Sequence, residues 1–94
     1  MNTYMVVAKF KPDTDMRDVY AVRDQEMAMF ETLTTAGRLG SLHASLKRGT
    51  VFIEAFAHDE TSAEETVRSL PMARYWTIDV YPTPALPPPG TEFK

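Results

Sequence analysis

The stretch SLHASLKRGTVFIEAF, residues 41 to 56, alternates as two strands around a tight turn and carries the first groups able to do chemistry. A two-residue tip at Arg48-Gly49 predicts Lys47 opposite Thr50, Leu46 opposite Val51, Ala44 opposite Ile53 and His43 opposite Glu54. An imidazole held beside a carboxylate is a general base near neutral pH; the same two side chains equally make an ordinary cross-strand ion pair. Arg23 stands between Tyr20 and Met27 in an otherwise apolar helical stripe. A guanidinium there must meet an acid, with Glu54, Asp79 and Glu26 as candidates, or a ligand carboxylate. Tyr75, Trp76 and Tyr81 are spaced either to line a pocket for a flat ring or to pack a core or interface. His58 beside Asp59 and Glu60 is the nearest approach to a metal site, but two histidines on different elements make a poor ligand set, and no metal is expected.

Four strands and two helices must position these groups. Tyr4 to Lys11 alternates, with Tyr4, Val6, Ala8 and Phe10 on one face, and stops at Pro12. Pro12-Asp13-Thr14-Asp15 supplies turn and cap chemistry. From Met16 the period becomes helical: Met16, Tyr20, Arg23, Met27, Phe30 and Thr34 share a face, Val19 and Leu33 lie beside it, and Gly37 closes the helix. Strands follow over Leu39 to Lys47 and Val51 to Ala57. Ser62-Ala63-Glu64-Glu65 reads as a capping box opening a second helix through Leu70, ended by Pro71. Tyr75 to Tyr81 is the fourth strand, with Trp76, Ile78 and Val80 on one face. The order is βαββαβ, and the predicted class is α+β: a ferredoxin-like, four-stranded antiparallel sheet with both helices on one face.

Residues 1–82 form one domain, and residues 83–94 a proline-rich arm expected to be extended; five of the seven prolines lie from Pro82 onward. The sheet face away from the helices carries Ser41, His43, Ser45, Phe52, Glu54, Phe56, Tyr75, Thr77, Asp79 and Tyr81. It is too aromatic to stand open to water, so a homodimer or larger homo-oligomer is expected, two sheets closing into a dimeric α/β barrel. With net charge −3 and scattered basic residues, no nucleic-acid partner is expected. Without cysteine the chain has no thiolate nucleophile or disulfide framework. The apolar run near Met1 is too short for a signal or membrane segment, so a cytoplasmic protein without a membrane partner is expected. The glycines are isolated at 37, 40, 49 and 90, which excludes a phosphate-cradling loop, and G-x-S-x-G is absent.

The chain resembles the muconolactone Δ-isomerase family, cofactor-free proteins of the dimeric α/β-barrel group. Glu26, Leu33 and Gly37 fall where that family's first helix carries Glu, Leu and its closing Gly. Ser69-Leu70-Pro71-Met72-Ala73-Arg74-Tyr75-Trp76-Thr77-Ile78-Asp79-Val80-Tyr81-Pro82 is similar to its "LP", aromatic, "I-x-V-x-P" ending. The resemblance covers the chain up to the arm. It departs at the second strand, where His43-Ala44 replaces a Trp-Arg pair and Lys47-Arg48-Gly49 a Gly-Arg-Tyr turn, which leaves room for another substrate. The activity it implies is an isomerisation, a proton shift on a small carbonyl or lactone compound without cofactor. Catalytic candidates are then His43, Glu26 and Glu54, and substrate-binding candidates Arg23, Tyr20, Tyr75 and Trp76, with Tyr20 able to donate to an enolate. The alternatives are a non-catalytic small-molecule-binding or assembly protein, or a cofactor-free monooxygenase or cyclase.

Overall fold

A computed structural model describes residues 1–84; the arm expected over residues 83–94 falls, beyond Pro84, outside the described residues. Four strands form one antiparallel sheet in the order β2-β3-β1-β4: β1 is Asn2–Phe10, β2 Leu39–Ser45, β3 Thr50–Ala57 and β4 Trp76–Pro82. Between them run α1 (Met16–Ala21), α2 (Arg23–Thr35) and α3 (Glu60–Arg68). The class is α+β, and the strand order is compatible with a ferredoxin-like arrangement. No helix among the described residues is long and apolar enough to cross a membrane.

The core lies between sheet and helices. Tyr4, Val6 and Ala8 of β1 are buried, as their alternation requires, with Val51, Ile53 and Ala55 of β3 beside them. Ala63 and Val67 of α3, Leu33 of α2, and Leu70, Ala73 and Trp76 close over this surface. Phe10 meets Trp76 edge to face at 6.2 Å between ring centroids.

Three local expectations are corrected. The long first helix is two: Val22, at φ −105° and ψ 9°, leaves helical geometry and separates α1 from α2. Asp15 caps α1 by accepting from the Arg17 N–H at 2.9 Å. At the far end Gly37, at φ 74°, closes α2 as a Schellman motif: the Arg38 N–H donates to the Leu33 carbonyl, and the Gly37 N–H to the Thr34 carbonyl.

The second helix begins earlier than the capping box predicts. Asp59, not Ser62, is its cap, and the Asp59 carboxylate accepts from the Ser62 N–H at 2.8 Å. An aspartate ahead of three polar residues competes successfully for the same role.

The third correction is the hairpin register. Leu46–Arg48 forms a 3-10 turn closed by Gly49 at φ 56°, so the loop is four residues long. Ser45 therefore lies opposite Thr50, Ala44 opposite Val51, His43 opposite Phe52 and Leu42 opposite Ile53. The pairing is displaced by two residues, and because side chains alternate with period two, every residue keeps its predicted face while changing its neighbour. A bulge between Leu39 and Leu42 then returns Leu39 to the buried side, opposite Ala55.

Candidate functional site

The helices are seated on the sheet along a narrow seam. In α1 and α2 the buried residues are Val19, Glu26 and Leu33, one per seven residues. The stripe Met16, Tyr20, Arg23, Met27, Phe30 and Thr34, which the sequence marks as one face, stands beside that seam. It forms one wall of a cleft of about 830 Å³, and Leu42, Ala44, Leu46 and Val51 of the β2–β3 hairpin form the opposite wall. Phe10, Met72 and Trp76 also line it. Tyr20 (65% exposed) and Met27 (60%) are therefore open to solvent although their spacing reads as core.

Glu26 brings a carboxyl group to this apolar setting. It is only 7% exposed, a rare state for a carboxylate with no cationic partner among the described residues. One carboxyl oxygen accepts from the backbone N–H of Met72 at 2.8 Å, tying α2 to the 3-10 segment Pro71–Tyr75 that leads into β4. Burial pushes its pKa up by penalising the charged form, and the Met72 N–H bond opposes the shift without cancelling it. A carboxyl group moved toward neutrality beside an open apolar cleft can accept a proton and return it.

Arg23 lies one turn before Glu26 on α2, is exposed and lines the cleft. The ion pairs among the described residues are Arg17 with Asp15 and Arg68 with Glu64, so Arg23 has no acidic partner there. Tyr20 and Trp76 line the same cleft. The Trp76 ring is buried, and its Nε1 has no hydrogen-bond partner among the described residues.

The remaining candidates lie elsewhere. His43 and Glu54 are on the opposite face of the sheet, where a row runs His43, Phe52, Val7, Asp79 across the four strands. With Phe52 in the place predicted for Glu54, the expected direct opposition of His43 and Glu54 does not occur. The Glu54 carboxylate instead lies over Gly40 in the bulge and accepts from the Ser41 N–H at 3.3 Å. Tyr75 belongs to the 3-10 segment rather than β4, and the Arg74 guanidinium sits 5.8 Å from its ring centre. No group of three or more potential metal-ligating side chains occurs among the described residues.

The Met72 N–H is the contact to Glu26 that the side-chain pattern does not reveal, because it belongs to the backbone. A signal for it existed: a glutamate midway between Val19 and Leu33 at heptad spacing sits on a buried seam and must find a donor. No known family model matches the chain, and no curated protein matches it either.

Proposed function

We propose that the chain is a cofactor-free isomerase, of the kind its resemblance to the muconolactone Δ-isomerases implies, acting on a carbonyl or lactone compound in the helix-side cleft. The observation that carries this reading is Glu26, a buried carboxyl group with a raised pKa on the wall of an apolar cavity. In the reaction a C–H bond beside the carbonyl breaks, its proton passes to the Glu26 carboxylate, and the electron pair enters a conjugated enolate. Glu26 then returns the proton to another carbon of that system, so the step is redox-neutral. Burial raises the basicity of the carboxylate, and the Met72 N–H fixes its orientation. The Tyr20 hydroxyl and Arg23, from residues lining the same cleft, stabilise the developing oxyanion and hold a substrate carboxylate.

The test is conversion of muconolactone, and of a simple β,γ-unsaturated ketone, followed by ultraviolet absorbance. Glu26→Gln is expected to lower turnover by about 10²- to 10⁴-fold, the usual contribution of a positioned acid–base group, while His43→Ala leaves it unchanged. Full activity in Glu26→Gln, or activity in neither substrate assay, would overturn the reading.

A second observation favours self-association through a ferredoxin-like subunit. The sheet face away from the helices presents Phe52 (38% exposed) and Tyr81 (53%) together with Met5, Val7 and Phe56. Two such faces stacked together make the dimeric α/β barrel. Light scattering giving the mass of one chain at micromolar concentration would refute it.

A further inference from the structure

The cleft is far larger than a single-ring lactone requires. Its 830 Å³ lies in the upper part of the range of about 300–1,000 Å³ found for sites that enclose drug-sized ligands. It is also long: α2 lines it from Arg23 to Thr35, twelve helical steps of about 1.5 Å, or about 18 Å. Its charged groups gather toward one end. Arg23 and Glu26 are three residues apart on one helix face, which sets their Cβ atoms about 5–6 Å apart. Beyond them the walls are Met27, Phe30, Leu42, Leu46 and Val51, and among the described residues only Glu31 adds a further charge. Met16, Met27 and Met72 bring flexible, polarisable thioethers to the lining, which adapt to a chain of variable shape.

Taking the cleft as the reaction site, we infer that its ligand is a keto carboxylate with a long linear apolar tail. The carboxylate meets Arg23, the carbonyl two or three carbons away accepts from the Tyr20 hydroxyl with its neighbouring C–H toward Glu26, and the tail runs along α2 against the β2–β3 hairpin. The i, i+3 spacing of the two polar residues keeps the ligand's two polar groups close together at one end, and the length of the groove sets the scale of the tail. This deepens the isomerase reading by naming a substrate class.

Trp76 is the single tryptophan and lines the cleft, so intrinsic fluorescence reports its occupancy. The probes are γ-oxododecanoate, its methyl ester, dodecanoate and the short-chain levulinate, titrated below their micellar concentrations. The expected result is that γ-oxododecanoate binds at least tenfold tighter than levulinate, since burying two methylenes alone gives about that factor. It should also bind tighter than dodecanoate. Arg23→Gln should weaken γ-oxododecanoate about fivefold and leave the methyl ester unchanged. Equal affinity for levulinate would overturn the tail, equal affinity for dodecanoate the carbonyl's place at Tyr20, and equal losses of acid and ester the role of Arg23. No fluorescence response to any probe would overturn the whole. Binding is read without turnover, so this pattern in a protein that moves no proton would sink the isomerase reading and leave the ligand class standing.

Discussion

Removing the Glu26 carboxyl group in two different ways separates its hydrogen bond from its charge. Glu26→Ala deletes the acceptor of the Met72 N–H, leaving a part-buried donor unpaired at a cost of about 1–3 kcal/mol. For a domain of this size each kcal/mol lowers Tm by about 4–8 °C, so a fall of about 8–16 °C is expected at the centre of that range. Glu26→Gln keeps an amide oxygen for the Met72 N–H and removes only the titration. The native pKa is raised by burial, so the folded state binds the proton more tightly than the unfolded chain. Its stabilising effect is fully present below the ordinary carboxyl value of 4.5 and is lost as pH rises through the raised value. The wild type should therefore match Glu26→Gln in acid and fall behind it toward neutral pH. Urea unfolding followed by Trp76 fluorescence at a series of pH values measures both effects. A wild-type-like Glu26→Ala, or a gap between wild type and Glu26→Gln that is flat with pH, would refute a buried, clamped carboxyl group.

Asp59→Ala should cost about 1 kcal/mol by removing the cap of α3, read as a lowered urea midpoint at unchanged slope. A Cβ at Gly40 would collide with the Glu54 carboxylate and the Phe56 ring, so Gly40→Val should destabilise the domain by about 1–3 kcal/mol, with thermal unfolding as the measure. On the proposed self-association, Phe52→Asp on the open sheet face should lower the scattering mass to that of a single chain while the far-ultraviolet dichroism stays native. Gly37→Ala places a Cβ at φ 74° and should lower stability by about 1 kcal/mol in the same urea assay.

Much of the sheet was legible because alternation is a local signal. The faces of β1, β3 and β4 follow from period two together with the terminators Pro12, Gly49 and Pro82. The neighbours of those residues were not legible. Whether His43 meets Glu54 or Phe52 depends on turn length, and a loop of two or four residues gives identical faces. The helix faces misled for a different reason: the stripe from Met16 to Thr34 is apolar and periodic, which marks a surface that avoids water without saying whether protein or ligand covers it. Glu26, Arg23, Tyr20 and Trp76 converge on one cleft, whereas His43 and Glu54 share the other side of the sheet. That division depends on which face each strand turns to the helices and on where the helices leave a gap; only the first is written in the local pattern.

The central position of β1 has a consequence for how the chain acquires its structure. Its residues pair with β3, about fifty positions onward, and with β4, where Tyr4 lies opposite Pro82. Closing such loops costs entropy before any neighbouring contact repays it, so the domain should fold slowly for its size. During synthesis β1 has neither of these neighbours until β3 emerges, and its second edge waits for β4. Until then Val6, Ala8 and both edges of the future central strand are open to other chains, which makes this segment the one that a nascent-chain binding factor would protect.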